Sequence, residues 1–169
     1  MPRACLDFDL PDSRATELLG ESLARTLPGP GTSGAVVYLQ GELGAGKTCC
    51  VRSFLRALGV TGLVRSPTYT LVETYTVGSV TCVHVDLYRL KALTEVDELG
   101  LDWVQARCLL VEWPDKGQGA LPPADLVLAL CYAGEGRRAR LTAQSPLAAS
   151  WLEKLGRDTS LSPYVSNLT

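Results

Sequence analysis

Histidine occurs once in the 169 residues, at His84. That scarcity removes any histidine-cluster metal site and weakens a Ser-His-Asp arrangement. Six cysteines are present, but none forms a C-x-x-C pair, so zinc-ribbon and dithiol chemistry are not indicated. Cys49 and Cys50 are neighbours, and a disulfide between them in a helix would be strained. Cys82, Cys108 and Cys131 sit in expected strands, where cysteine acts as a small buried hydrophobe. A reduced, cytoplasmic chain without a disulfide framework is expected. Long apolar runs are missing too: the longest, Leu126 to Ala133, has eight residues, against the ~18 that span a bilayer. Met1-Pro2-Arg3-Ala4-Cys5 lacks the apolar block of a secretory signal, so no membrane association is expected. Positive charge is not in excess, with Lys+Arg 16 against Asp+Glu 18 and a net charge of -2. Coating of a DNA or RNA backbone is therefore not its main business.

What is present points to a folded domain. Hydrophobic residues make up 46% and charged residues 20%, a globular balance. Residues 4–10 read as an edge strand. Asp12 or Ser13 can cap a helix carrying Leu18, Leu19, Leu23 and Leu27, ended by Pro28-Gly29-Pro30-Gly31. Ala35 to Leu39 is a short apolar run of the kind buried on both faces of a sheet. Helical sequence follows residue 46 as far as Leu58, with Gly59 as its stop. Val72–Thr76 and Val80–Val85 read as strands joined at Gly78-Ser79. Thr94 to Gly100 reads as a short helix capped by Thr94. Cys108 to Val111 is a buried strand ending at Glu112. Asp125–Tyr132 and Arg138–Ala143 can pair as a hairpin, and Ser145-Pro146 opens a last helix to about Leu155. The alternation of strands and helices is an α/β signature.

Gly41-Glu42-Leu43-Gly44-Ala45-Gly46-Lys47-Thr48 fits the full phosphate-binding loop pattern, between a buried strand and a helix. Each residue type has a physical reason. Glycines permit backbone conformations that turn successive N–H groups into one concavity. The helix N-terminus adds partial positive charge where phosphate would lie. Lys47 brings a full charge to the outer phosphates, and Thr48 offers a hydroxyl to magnesium. A nucleoside triphosphate is the expected ligand; no Asn-Lys-x-Asp guanine motif occurs, so ATP is the default. A metal-holding carboxylate is also required. Asp86 and Glu112 each follow an apolar strand, and strand C-termini of an open parallel sheet converge on the ligand crevice. The residues leave open which of them binds magnesium and which orients water. Ser66-Pro67-Thr68-Tyr69-Thr70 occupies the place of a nucleotide-sensing switch, with Thr68 able to reach magnesium or the terminal phosphate; a simple turn ahead of a strand is the alternative. His84, between Val83 and Val85, reads as structural rather than as a catalytic base.

Four segments together resemble one family. Gly-Glu-Leu-Gly-Ala-Gly-Lys-Thr (41–48), Ser-Pro-Thr-Tyr-Thr-Leu-Val-Glu-x-Tyr (66–75), His-x-Asp-Leu-Tyr-Arg-Leu (84–90) and Glu-Trp-Pro (112–114) stand in the order seen in TsaE (YjeE) proteins. These are bacterial ATPases of tRNA threonylcarbamoyladenosine biosynthesis, and the resemblance runs from about Leu10 to Ala143. It implies a P-loop NTPase fold: a mostly parallel central sheet, flanking antiparallel strands and helices on both faces. Residues 1–155 would form a single P-loop ATPase domain and residues 156–169 a flexible C-terminal tail. It implies ATP and Mg2+ as cofactors, TsaD and TsaB as partners, and tRNA met only through their complex. Carried over by position, Glu42, Leu43, Gly44, Ala45, Gly46, Lys47 and Thr48 cradle the phosphates, and Thr48 and Glu112 lie at magnesium. Asp86 supports the metal or catalytic water, and Thr68 belongs to the switch. Thr16 and Arg137 match positions contacting the base or phosphate side of the nucleotide. Trp113 packs either near the site or in the core.

The expected function is thus a Mg-dependent ATPase subunit, weak alone, serving threonylcarbamoyl transfer to adenosine of tRNAs that read codons beginning with adenine. A small-molecule P-loop kinase is the alternative, although the segment 91–107, where an arginine-rich lid would lie, contains only Arg107. A non-catalytic nucleotide-gated module is a third reading, opposed by the two strand-end acids. The one basic cluster, Arg137-Arg138-Arg140, is small: 138 and 140 share a strand face and 137 takes the other. It reads equally as a solvated hairpin or as a tRNA or partner contact.

Overall fold

The computed structural model describes residues 3–29, 34–100 and 106–166. Seven strands pair into one sheet: β1 (Cys5–Leu10), β2 (Ala35–Gln40), β3 (Val72–Val77), β4 (Val80–Asp86), β5 (Cys108–Glu112), β6 (Leu126–Ala133) and β7 (Gly136–Ala143). Their order across the sheet is β1-β7-β6-β2-β5-β4-β3. The four central strands run parallel, through the pairs β6–β2, β2–β5 and β5–β4. Antiparallel pairing is confined to the flanks, at β1–β7–β6 and β4–β3. A parallel core with antiparallel edges is the mixed sheet expected. Burial follows position in that order. β5 is buried at every residue, so both its faces carry apolar cover. β2 alternates instead, with Val36, Tyr38 and Gln40 only half-buried.

The helices are α1 (Ser13–Arg25), α2 (Lys47–Ala57), α3 (Thr94–Glu98) and α4 (Pro146–Gly156). The three long ones share a face. Leu19 and Leu23 of α1, Val51 and Phe54 of α2, and Trp151 and Leu155 of α4 form one core with Val37, Leu39, Leu110 and Leu128 of the sheet. On the opposite face, Val83, Val85, Leu109 and Val111 are covered by Leu87, Ala106 and Val96 of α3. Helices thus lie on both faces, but unequally: one side has only a short helix and connecting chain. No described helix is long and apolar enough to cross a membrane.

Local chemistry explains the boundaries. The Asp12 carboxylate accepts from Ala15 N–H at 2.8 Å and caps α1, and Ser145 accepts from Ala148 N–H at 3.3 Å ahead of Pro146 in α4. α1 and α2 approach closely because Gly20 has no side chain; a Cβ there would lie 2.3 Å from the Cys50 carbonyl oxygen. For α3 the expectation is corrected. Leu93, not Thr94, precedes its first turn, and no side chain caps that end; the Glu95 carboxylate instead accepts from the N–H groups of Lys91 and Ala92 in the chain leading into the helix. Cys131 also departs from expectation: it lies in β6 but is exposed, as is Cys5, and all six cysteines are free.

The expected loose tail is packed over its described part. A 3-10 helix at Thr159–Tyr164 buries Leu161, and Val165 bridges Phe8 of β1. Asp158 pairs with Arg25 at 2.9 Å. Within the proline-glycine stretch, residues 30–33 lie outside the described residues, as do 101–105 of the segment 91–107 and 167–169 at the end.

Candidate functional site

Register brings the chemistry together. Leu39 of β2 pairs with Glu112 of β5, and Asp86 of β4 pairs with that same Glu112. Three parallel strands therefore finish at one level, and the chain leaving β2 enters the glycine-rich loop 41–46 beside both acids. In that loop Gly44 and Gly46 take φ of 79° and 107°, conformations that side chains disfavour. Gly46 is the residue before α2, so the loop delivers its backbone onto a helix N-terminus, whose first N–H groups point outward. The loop, α2 and the strand ends enclose a cleft of about 470 Å³, lined by Gly44, Gly46, Lys47, Thr48, Thr68, Asp86, Glu112 and Trp113 among others.

Within this cleft the side chains already contact one another. Thr48 Oγ1 donates to Glu112 at 2.8 Å to Oε1 and 3.2 Å to Oε2. Glu112 is 1% exposed, and its Oε2 also lies 3.1 Å from Nε2 of His84. Asp86 accepts from Tyr88 N–H at 2.9 Å and from Thr68 Oγ1 at 3.1 Å, with Ser66 Oγ at 3.5 Å. The segment bearing Ser66 and Thr68 is held there through the backbone, since Asp86 N–H donates to the Leu71 carbonyl. Lys47 Nζ donates to the carbonyls of Gly41 and Glu42 at 2.5 and 2.8 Å and lies 4.4 Å from the Trp113 ring centroid. Burial pushes the Lys47 ammonium below the usual lysine range, against the pull of Glu112 and Asp86. A desolvated cation resting on neutral carbonyls is well prepared to exchange them for an anion.

The residues named from sequence divide by place. Lys47, Thr48, Thr68, Asp86 and Glu112 converge on this cleft, together with Leu43, Gly44 and Gly46. Thr16, Ala45 and Arg137 border an adjoining cleft of about 260 Å³ that shares Gly44 and Gly46 with it. Glu42 contributes its carbonyl to Lys47, and the Glu42 side chain lines neither cleft. Thr16 is buried on α1, with its methyl against Gly46. Arg137 lies against the loop, 3.2 Å from the Gly44 carbonyl, and stacks 4.1 Å from the Tyr132 ring. Arg138 and Arg140 are engaged elsewhere, with Asp9 at 3.1 Å and Asp7 at 2.7 Å on the neighbouring strand. Two of the three arginines of the cluster are therefore paired with acids of β1, while Arg137 lies against the loop.

Sequence reasoning missed Tyr132 and Tyr88 and gave His84 only a structural role. Tyr132 donates to the Leu43 carbonyl at 2.8 Å, because β6 runs on past Ala129, where its pairing with β2 ends at Gln40. Trp113, half-buried, stands over Lys47 while also packing against the cluster of Val85, Leu109 and Val111; its φ of 56° is an unusual conformation for a bulky residue and one often met beside functional sites. Tyr88 packs on it at 5.0 Å between ring centroids. His84 contacts Glu112, and the signal for that was available: it stands two residues before Asp86 and so on the same strand face.

Comparison with known proteins gives the lineage. Residues 10–140 fit the family model for the threonylcarbamoyl adenosine biosynthesis protein TsaE. The chain belongs to the TsaE family. It is 40% identical over 141 residues to a protein named tRNA threonylcarbamoyladenosine biosynthesis protein TsaE from Haemophilus influenzae, covering 82% of this chain and 89% of that one. A like-named TsaE protein of Synechocystis is 43% identical over 118 residues, covering 66% and 71% of the two chains. The crystal structure of YdiB from Bacillus subtilis superposes with a TM-score of 0.75 at 26% identity, over 93% of this chain and 97% of YdiB. The matched TsaE region contains the loop 41–48, both strand-end acids and the segment 66–70.

Proposed function

We propose that this chain binds ATP with Mg2+ in the cleft at the ends of β2, β4 and β5, and hydrolyses it as the TsaE component of tRNA threonylcarbamoyladenosine formation. The tRNAs concerned are those reading codons that begin with adenine. TsaD and TsaB are the partners, the cell compartment is the cytoplasm, and tRNA is met through the assembly. The observation that carries the reading is the contact of Thr48 with Glu112 at 2.8 Å directly behind a glycine-rich loop and its lysine. Hydroxyl and carboxylate oxygens suit magnesium, and loop amides with an ammonium suit phosphate, so the residues fit both groups.

In this reading Thr48 and Glu112 hold the ion, and Asp86 supports it or the attacking water. Bound magnesium would neutralise charge on the outer phosphate oxygens. The remaining work falls to the chain. Lys47 leaves the carbonyls of Gly41 and Glu42 for the outer phosphates, and the loop amides from Glu42 to Thr48 enclose them. Thr68, bonded to Asp86 through its hydroxyl, reports on that end of the cleft and reorients with its segment. Arg137 and Thr16 flank the adjoining cleft and contact the nucleoside side. Trp113 and Tyr88 exclude water from one wall, which strengthens every charge interaction inside.

Kinetics with two variants test this. Lys47→Ala removes a charge-assisted contact worth about 1.5–3 kcal/mol, so ATP affinity should fall about 10- to 100-fold. Glu112→Gln keeps a hydrogen-bonding side chain and should retain nucleotide affinity while losing about 100-fold or more in turnover, if it acts on water. Collapse of magnesium-dependent affinity in Glu112→Gln would make ligation its larger role. Unaltered hydrolysis in Lys47→Ala would discredit the assignment of the loop.

A further inference from the structure

We infer that His84 is a positioning residue that fixes the Glu112 carboxylate from behind as a neutral Nε2–H donor. The inference rests on the reading in which Glu112 serves the metal or the water. His84 lies on β4 opposite Leu110, and Asp86 lies opposite Glu112, so the imidazole reaches Glu112 diagonally across the strand pair. Its Nε2 is 3.1 Å from Glu112 Oε2, and the side chain is 0% exposed. The ring does not line the cleft, so it meets no substrate and is no catalytic base.

The other ring nitrogen decides the tautomer. Nδ1 is buried and has no hydrogen-bond partner. An imidazolium would bury an N–H there without an acceptor, and the Nδ1–H tautomer would set a lone pair against the carboxylate. With the proton on Nε2, the ring donates to Glu112 and leaves only a lone pair at Nδ1. One consequence follows for the carboxylate. Oε2 is held from behind while Oε1, now bonded to Thr48 at 2.8 Å, stays aimed into the cleft when the Thr48 hydroxyl turns to another partner. The arrangement is that of an outer partner orienting a ligating side chain.

Because the chain has a single histidine, its ring nitrogens give an unambiguous NMR signature after [15N]histidine labelling of the full chain. The expected spectrum is that of a neutral Nε2–H tautomer whose Nε2 resonance shifts in Glu112→Ala. An Nδ1–H tautomer, or an Nε2 resonance indifferent to Glu112→Ala, overturns the proposal without reference to activity. Three substitutions then separate positioning from packing. Gln places its amide nitrogen near the Nε2 position, Asn near Nδ1, and Leu supplies shape alone. Single-turnover ATP hydrolysis should stay within about threefold of the parent in His84→Gln. It should fall about 10- to 100-fold in His84→Asn and His84→Leu, with half-saturating ATP changed less than about twofold. Equal losses in all three variants would mean that His84 is only a core residue. If instead Glu112→Gln leaves hydrolysis intact, the role given to Glu112 fails, and the tautomer and its Glu112-dependent shift remain as measured.

Discussion

Replacing Gly20 by alanine should destabilise the protein, although helix propensity alone argues the opposite. Alanine in a helix interior is favoured over glycine by about 1 kcal/mol. At this position, however, the new Cβ would stand 2.3 Å from the Cys50 carbonyl oxygen, 3.1 Å from its carbon and 3.1 Å from the Ser53 Cβ. An ordinary carbon–oxygen contact is about 3.3 Å or more, so α1 and α2 must separate by roughly 1 Å. The nearest atom belongs to a helix backbone, which cannot turn aside as a side-chain tip would. A close-packed interior transmits such strain, and overpacking typically costs about 1–3 kcal/mol. Set against the propensity gain, and with backbone pressing on backbone, the net loss should be about 1–2 kcal/mol. For a chain of this size that lowers Tm by roughly 2–8 °C. The shift also reaches the site, because α2 begins at Lys47 and Gly46 packs on Thr16 of α1. Thermal unfolding followed by circular dichroism, beside Gly156→Ala, is the assay. At Gly156, on the exposed end of α4, a Cβ meets only the Leu6 methyls at 3.7 and 3.8 Å, so that variant should match the parent or gain about 0.5 kcal/mol. A Gly20→Ala protein as stable as the parent, with Gly156→Ala behaving as stated, would refute the close approach of the two helices.

Acid should weaken the attachment of the C-terminal segment. Burial raises the Asp158 carboxyl, but bonds from the Ser160 hydroxyl, Arg25, the Ser160 amide and Ser22 outweigh it and hold the pKa at about 2. A depressed folded pKa contributes stability that is present above about pH 4 and is lost as pH falls toward 2; Asp158→Asn should flatten that part of a stability–pH curve, and an unchanged curve would count against the Arg25–Asp158 anchor. Thiol reactivity should sort by burial. Cys5 and Cys131 are exposed, whereas desolvation raises the Cys49 thiol and pushes Cys50 up to about 12 and Cys82 to about 11. Alkylation of the native chain at neutral pH, read by mass spectrometry, should label Cys5 and Cys131 first, Cys49 slowly, and Cys50, Cys82 and Cys108 only after unfolding. Labelling of Cys50 as fast as Cys131 would contradict the packing of α2.

Much of the fold could be read locally because its signals are local. Gly78-Ser79 and Gly134-Glu135 sit at tight turns, and the strands on either side of each pair antiparallel. Asp12 and Ser145 cap the helices they precede. Where local signals compete, sequence reasoning fails for definable reasons. Thr94 is a good capping residue, yet it is already the first residue of α3 and Leu93 takes the cap position, while Glu95 beside it accepts from the N–H groups of Lys91 and Ala92. Cys131 lies in an apolar run, but near the end of β6, beyond its pairing with β2, where cover is lost. The segment after Gly156 is polar in composition, and composition cannot reveal that one buried Leu161 and an ion pair to Arg25 suffice to seat it.

The site shows the same division more sharply. Alternation along β4 places His84 and Asp86 on one face, and the glycine-rich loop identifies itself, but no residue pattern states which strand lies beside which. That is settled by register, and register has little freedom here. A slip of one residue in β5 would turn Glu112 to the opposite face of the sheet. It would also carry Leu110 away from the core formed with Phe54 and Trp151, and Val111 away from Val83 and Val85. Complete burial of β5 on both faces is therefore what holds a charged side chain at its end within reach of Thr48 and His84. The apolar residues of that strand align the carboxylate as much as the polar residues beside it do. A volume change at Leu110 or Val111 should accordingly disturb ATP turnover without touching any group in the cleft.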